Sequence, residues 1–475
     1  MSNENGPPGR ARFRRAKPRR VKLWVAVSVA ATAVLVSAVL VGTGQLTPTD
    51  GPPKASQQLD KALAASWEPA EAVLAAAGPD ADTGADLSNR LASLAGASEL
   101  GGNVGAVVID LGSGATIYES NATDAFVPAS TMKILTSVAV LDVLGPDHRF
   151  ETKTVLVDDD AGEVTIALVG GGDPMLASTD DGAVSAASAS LEGLAAATAE
   201  AVAETGAESV RLTFDDSLFT GPAIDPDWLP TYVPNGVVAP VSALAADGGR
   251  IRAGFRDRAD DPALSAAELF AGFLADHDVP VADASPERTD AGADLPELAA
   301  VASPPLSAIV EHVMRTSDND AAEVLGRHVA LGLGRPATSN EAGEATVEVL
   351  AGLGIEPGGL DIRDGSGLAR GNAATAAALT SALGRAADPD HPDLRTVLAG
   401  LPVAGFTGTL AERAPDGSAG YVRAKTGTLT GVHSLAGLAV APDGAAYIFA
   451  ILADDADDAL AARAALDRFA AALVS

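Results

Sequence analysis

Three short polar segments, Ser130-Thr131-Met132-Lys133, Ser317-Asp318-Asn319 and Lys425-Thr426-Gly427, lie far apart in a chain of 475 residues. Each is weak alone, because Ser-x-x-Lys arises by chance in many sequences. In this order they constrain the fold. A serine nucleophile, a lysine that deprotonates it, a second polar pair and a substrate-gripping strand act together only if the chain folds all three into one cleft. Lysine usage points the same way. The chain has 32 basic residues, and beyond residue 42 the only lysines are Lys54, Lys61, Lys133, Lys153 and Lys425. Two of these fall inside the segments. Arginine stays protonated in proteins whereas a buried lysine can lose its proton, so a general base here must be lysine, and Lys133 is one.

The N-terminus carries Arg10, Arg12, Arg14, Arg15, Lys17, Arg19, Arg20 and Lys22 against the single acid Glu4. Leu23 to Gly42 then runs without a charge, long enough to cross a bilayer as a helix. Trp24 sits where an aromatic anchor belongs, and the basic arm is expected to stay in the cytoplasm. The uncharged stretch is longer than a secretory signal needs, and Gly42-Thr43-Gly44-Gln45-Leu46 is a poor cleavage site. We therefore expect a single-pass membrane protein with an extracytoplasmic catalytic part, or a secreted one if the segment is cleaved. The Arg19-Arg20 pair hints at twin-arginine export, but its surroundings fit that signal badly. Removing the arm's net +7 from the chain's −31 leaves the remainder near −38. That acidity argues against nucleic acid as a partner, and reads more simply as a solvated coat than as a cation site. With no cysteine, disulfides, cysteine catalysis and thiolate metal sites are excluded. No cofactor or metal is expected.

The organisation follows from composition shifts. Residues 1–22 form the arm, 23–42 the span and 43–86 an extracytoplasmic linker, with a tether to about residue 57, helical character over Gln57 to Ala77 and a break over Pro79 to Ala85. The catalytic part begins near Leu87. Val104 to Asp110 and Ala115 to Ser120 alternate as strands around Leu111-Gly112-Ser113-Gly114, a hairpin. Ser130 opens an apolar helix that runs to Leu144 and stops at Gly145-Pro146. Residues 150–304 read as an inserted smaller α/β domain, with strands at Thr152 to Val157, Val164 to Val169 and Ser209 to Phe214 and a helix around Ala187 to Glu204. Gly170-Gly171-Gly172-Asp173-Pro174 lacks a P-loop ending and reads as a tight turn. Residues 305–475 return to the catalytic domain, with helices over Leu306 to Arg315 and Asp320 to Leu331 joined by the Ser317 loop. Strands follow at Tyr421 to Lys425, Ser434 to Val440 and Ala446 to Leu452, then a helix from Asp458 to about Leu473. The first hairpin and these late strands are expected to share one antiparallel sheet with helices on both faces.

The chemistry assigns roles. Ser130 Oγ and Lys133 Nζ share one helical face, so proton transfer is within reach. Lys133 needs a depressed pKa, which burial and the positive charge of Lys425 would both favour. The backbone N–H of Ser130 at the helix start and that of Thr428 form the expected oxyanion hole. Gly427 lets a substrate peptide approach the strand closely, and Lys425, Thr426 and Thr428 grip a terminal carboxylate. Ser317 is the expected proton shuttle to the leaving amine. Asn319 is the expected partner of Lys133 and of the substrate, and Asp318 joins the substrate-binding set.

The trio resembles the penicillin-recognising serine enzymes. Within these, the chain looks like the D-alanyl-D-alanine carboxypeptidase/endopeptidase family of low-molecular-mass class C penicillin-binding proteins, the S13 type of peptidase. The resemblance covers roughly residues 87 to 475. It rests on Pro128-Ala-Ser-Thr-Met-Lys133, Leu168-Val-Gly-Gly-Gly-Asp-Pro174, Asp215-Asp-Ser217 with Phe219, Ser317-Asp-Asn319, Asp364-Gly-Ser-Gly-Leu368 and Lys425-Thr-Gly-Thr428. It implies a penicillin-binding protein/β-lactamase-like transpeptidase domain split by an insertion. It also implies cleavage of the terminal D-Ala-D-Ala bond of peptidoglycan stem peptides, and acylation by penicillins and other β-lactam antibiotics. The insertion is short for this family, which leaves action on crosslinks open.

Two rivals use the same trio. A class A β-lactamase needs a deacylating glutamate after the second segment, and Glu356 in Glu356-Pro-Gly-Gly-Leu360-Asp361 does not match its pattern. A non-catalytic β-lactam-binding sensor or scaffold would need neither an intact trio nor so short an arm. His312, His328 and His433 are singletons without an obvious acid partner and read as structural or surface residues. Asp364 and Ser366 read as shaping their loop.

Overall fold

The computed structural model describes residues 81–475, apart from 161, 183–188, 253, 283–284, 293 and 416. The expected arm, span and tether, and the helix over Gln57 to Ala77, lie outside the described residues. Among the described residues no helix is long and apolar enough to cross a membrane.

Strands β1 (Asn103–Asp110), β2 (Thr116–Ser120), β8 (Val422–Leu429), β9 (Val432–Val440) and β10 (Ala446–Asp454) form one sheet in the order β2-β1-β10-β9-β8, antiparallel throughout. Both its faces are covered, so β10 reads Ala446 to Asp454 as a nearly continuous apolar run. The period of two still shows in where the side chains go. Val108, Phe449 and Ile451 pack beneath helix α1 (Ala81–Ala95) and the C-terminal helix α10 (Ala459–Ala471). Their neighbours Val107, Ile448 and Ala450 join the opposite core. That core surrounds α2 (Met132–Leu144), in which every residue from Met132 to Leu141 is buried. A helix apolar all round must be interior. Around it stand α5 (Leu306–Thr316), α6 (Asn319–Gly332), α7 (Ser339–Gly352), α8 (Ala376–Ala387) and the single turn α9 (Thr396–Ala399).

Helix α1 corrects the expected break over Pro79 to Ala85, since it begins at Ala81. Leu87, Leu91 and Ala95, four residues apart, are buried against the sheet and α10, and this packing outweighs the poor local helix signal.

The second sheet is built within residues 151–302, in the order β6-β5-β4-β3-β7. It comprises β3 (Glu151–Asp160), β4 (Glu163–Val169), β5 (Ser209–Asp215), β6 (Glu287–Arg288) and β7 (Glu297–Ala302). β3 pairs antiparallel with β4 and β7, whereas β5 runs parallel to β4 and β6. Helices α3 (Leu191–Thr205) and α4 (Pro262–Asp276) bury Leu194, Val202, Phe270 and Leu274 with the sheet's Val164, Ile166 and Leu212. Between β5 and α4 the chain passes over the helical half in turns and bends. There Arg327 of α6 donates to the carbonyls of Thr220 and Pro222. The glycine run after β4 is structural. A Cβ on Gly171 would lie 1.9 Å from the Glu151 carbonyl. Gly172, at φ +71°, accepts a hydrogen bond from His328 Nε2 at 2.9 Å.

Candidate active site

Ser130 stands where the chain enters α2, on the single tight turn Ala129–Thr131. Two features fix this turn. Ala129 has φ +47°, a left-handed conformation that costs a non-glycine residue about 1 kcal/mol or more and clusters at functional sites. The Pro128 carbonyl accepts Thr131 Oγ1 at 2.6 Å and Ser434 Oγ at 2.7 Å, which ties the turn to β9.

Lys133 lies fully buried just inside α2. Its Nζ is 3.1 Å from Ser130 Oγ, 2.8 Å from Asn319 Oδ1 and 2.7 Å from the Ser366 carbonyl. A neutral amine has two N–H donors and one lone pair. Two carbonyl oxygens take the donors, which leaves the lone pair for the serine O–H. Burial pushes Lys133 down from 10.5 to about 8, while Asp364, Glu323, Asp318 and Asp320 pull the other way. The charge of Lys425 is therefore not what depresses Lys133, contrary to expectation. Lys425 is itself held well below the ordinary lysine range, by burial first and then by Lys133 and Arg413.

Lys425 Nζ donates to Ser317 Oγ at 2.8 Å and to the Thr426 carbonyl at 2.9 Å. Ser317 closes α5 in a left-handed conformation, φ +61°. Asn319 opens α6, and its Nδ2 donates to the Val237 carbonyl of the inserted segment at 2.8 Å. One polar chain thus runs from Ser130 through Lys133 to Asn319, and a second links Ser317 to Lys425. Asp318 stands apart. One carboxylate oxygen caps α6 through Ala321 N at 3.0 Å, and the other meets His312 Nε2 at 3.1 Å. That contact gives His312 the acid partner that the sequence does not reveal.

On β8, Ala424 N donates outward to the Pro402 carbonyl, away from β9. Backbone groups alternate along a strand, so the N–H groups of Thr426 and Thr428 face the same open side. Gly427 has a different reason from the one its sequence suggests. A Cβ there would lie 2.1 Å from Ser434 Oγ, 2.7 Å from the Pro128 carbonyl and 3.1 Å from Ala129 Cβ. The missing side chain lets the nucleophile turn close onto the strand.

Four further residues contribute, of which Thr409 and Glu323 carry no sequence signal. Thr409 Oγ1 accepts from Thr426 Oγ1 at 2.9 Å. The Ser366 carbonyl touches the base, a role beyond loop shaping. Asp364 gathers Trp228 Nε1 at 2.8 Å, Gly367 N at 2.7 Å, Ala369 N at 2.6 Å and Asn372 Nδ2 at 2.8 Å. Glu323 lies under the same loop. The remaining histidines are structural: His328 stacks on Phe150 with ring centroids 4.0 Å apart, and His433 is buried on β9. Among the described residues no group of three or more His, Asp or Glu is placed to hold a metal. Glu356 is exposed in the turn after α7.

The family model for the D-Ala-D-Ala carboxypeptidase 3 (S13) family matches residues 87–259 and 254–473. The chain belongs to that family. A carboxypeptidase of Mycobacterium tuberculosis is 34% identical over 392 residues, which is 80% of this chain and 83% of the relative. A D-alanyl-D-alanine carboxypeptidase of Actinomadura sp. strain R39 is 31% identical over 422 residues, 72% of this chain and 76% of the relative. The crystal structure of penicillin binding protein 4 from Haemophilus influenzae superposes with a TM-score of 0.68 at 21% identity, covering 81% of this chain and 98% of that one. The fold is the penicillin-binding protein/β-lactamase-like one, and the chain is a serine-type D-Ala-D-Ala carboxypeptidase.

Proposed function

We propose that the enzyme cleaves the terminal D-Ala-D-Ala bond of peptidoglycan stem peptides through an acyl-enzyme on Ser130, and that β-lactams acylate the same oxygen. The observation that carries this reading is the Lys133 amine, dry and depressed to about 8, with Ser130 Oγ as one of three close partners. Ser130 Oγ attacks the penultimate D-Ala carbonyl as its proton passes to Lys133 Nζ. The oxyanion is met by the N–H groups of Ser130 and Thr428. The C–N bond then breaks. The amine of the departing D-Ala takes up the proton that Lys133 received, relayed through the hydroxyl of Ser317, which Lys425 holds at 2.8 Å, and Lys133 is neutral again. Thr426 and Thr428 hold the terminal carboxylate. Water then attacks the Ser130 ester as its proton passes to Lys133, and the ester C–O bond breaks with that proton returned to Ser130 Oγ, which restores the free enzyme.

The basic arm and the uncharged run from Leu23 to Gly42 support an anchor in the cell membrane, with the catalytic part outside. The test uses the full chain and a form lacking residues 1–42. Both should form a long-lived adduct with fluorescent penicillin, and Ser130→Ala should abolish it. Only the full chain should sediment with membranes. Labelling that survives Ser130→Ala overturns the nucleophile, and rapid penicillin turnover overturns the carboxypeptidase reading.

A further inference from the structure

Directly beneath the base sits a carboxylate that the reaction above does not use. Glu323 lies on α6, one turn after Asn319, and is buried to 2% exposure. Its Oε1 accepts the Ser366 N–H at 2.8 Å and its Oε2 accepts the Gly365 N–H at 3.3 Å. The Ser366 carbonyl in turn accepts from Lys133 Nζ at 2.7 Å. From the other side, Thr136 of α2 donates its hydroxyl to the Gly365 carbonyl at 2.8 Å. The Gly365–Ser366 stretch is therefore clamped between the helix that carries the base and the helix that carries Asn319. A Cβ on Gly365 would lie 2.4 Å from the Ala322 carbonyl, so the loop approaches α6 too closely for any other residue.

We propose that Glu323 is a positioning residue for the general base: by holding the Ser366 peptide it sets the carbonyl that takes one Lys133 proton, and so aims the Nζ lone pair at Ser130. Asn319 and the Ser366 carbonyl fix the two N–H directions of the amine, and the third direction follows from tetrahedral geometry. If the Ser366 carbonyl moves, the amine can rotate and the lone pair leaves the serine. Burial pushes Glu323 up to about 8, with Asp364 next in importance, whereas Ser366, Arg327 and the Gly365 N–H favour its charged form. The charged form also strengthens Lys133's hold on its proton. With Glu323 raised to about 8, its carboxyl is mostly neutral on the acid limb, and its part there is to place the Ser366 carbonyl rather than to supply charge.

This inference rests on the Ser130–Lys133 reading, and its test separates the two. Acylation of the full chain by fluorescent penicillin is followed against pH, as the second-order rate and as the limiting rate at saturation. In Glu323→Gln the amide oxygen can keep the Ser366 bond, but its NH2 meets the Gly365 N–H donor to donor. The limiting rate should fall about tenfold, a loss on the scale of one hydrogen bond to a charged group. The dissociation constant for penicillin should stay unchanged, a split that a purely structural defect would not produce. Thr136→Val keeps the side-chain shape, removes the opposite clamp and leaves every charge in place. It should lower the limiting rate a few-fold with no movement of the acid limb. Wild-type limiting rates in both variants, or a loss in Glu323→Gln carried by the dissociation constant alone, overturn the proposal while Ser130→Ala still abolishes labelling. Should Glu323→Gln fail to fold, Thr136→Val decides alone, and an unchanged limiting rate overturns the proposal. Labelling that persists in Ser130→Ala overturns the underlying reading instead.

Discussion

The depressed base makes the pH dependence of acylation the most direct quantitative consequence of the structure. Lys133 falls from 10.5 to about 8 because its burial removes the water that would solvate an ammonium ion. At pH 7 roughly one molecule in ten then carries a neutral amine, against about one in three thousand for an ordinary lysine, a gain of roughly 300-fold in competent base. The second-order rate of acylation reports the free enzyme. It should rise tenfold per pH unit from pH 6, bend near pH 8 and level above it. The same shift bears on stability. A lysine whose folded pKa lies below its unfolded value binds fewer protons folded than unfolded between pH 8 and 10.5. Lys133 therefore costs the fold about 3 kcal/mol below pH 8, and that cost fades as the pH rises toward 10.5. The assay is penicillin labelling between pH 5.5 and 9.5 at constant ionic strength, paired with denaturant unfolding of the unlabelled protein. Lys133→Arg keeps a cation but cannot act as base, and should lose acylation at every pH. A rate that is flat from pH 6 to 9, or a Lys133→Arg variant that acylates near normally, refutes the argument.

Gly427→Ala should fold with a loss of about 1–3 kcal/mol, the usual range for an overpacked site, and should lose most of its acylation. Adding Ser434→Ala removes the 2.1 Å conflict but leaves the Pro128 carbonyl 2.7 Å from the new methyl group, so rescue should be partial. Full rescue, or a Gly427→Ala variant of wild-type activity, would show that the turn has more room than these distances allow. Thr409→Val removes the acceptor of the Thr426 hydroxyl. The dissociation constant for penicillin should rise about fivefold, the worth of one hydrogen bond, with the acid limb unmoved. A change confined to the limiting acylation rate would count against a binding role.

Nearly all of the proposed reaction machinery can be named from the sequence, because the chemistry dictates residue types. A base that must shed a proton has to be lysine, and five lysines beyond residue 42 leave little choice. The two strands after Gly427 are legible from their apolar pattern, and α2 from an apolar run closed by Gly145-Pro146. What escapes is whatever depends on backbone groups brought together from afar. The Ser366 carbonyl and its Glu323 support are invisible, since a carbonyl has no letter and Glu323 looks like any glutamate of an amphipathic helix. Gly427 is legible as a required glycine, but its contact with the Pro128 turn is not, because Pro128 lies far from it in sequence and Ser434 faces it only through the β8–β9 register. Helix α4 did carry a signal, with Asp261 capping through Leu264 N and Pro262 in the first turn. Strand β6, at two residues, is too short for any period to show.

The inserted segment is more than a passenger on the catalytic half. Asn319 Nδ2 has its acceptor on Val237, and Asp364 takes the Trp228 indole N–H as one of four donors. Trp228 and Val238 also pack with Leu368 and Ala369, and Leu429 lies against the same cluster, so the loop under the base and the substrate-gripping strand share one apolar patch with the insertion. Asp364 must remain fully hydrogen-bonded, since an unpaired buried carboxylate would cost several kcal/mol. The loop that presents the Ser366 carbonyl therefore depends on residues from both halves of the chain. Val237, in the turns between β5 and α4, supplies the carbonyl that takes the amide N–H of Asn319, the residue whose Oδ1 meets Lys133.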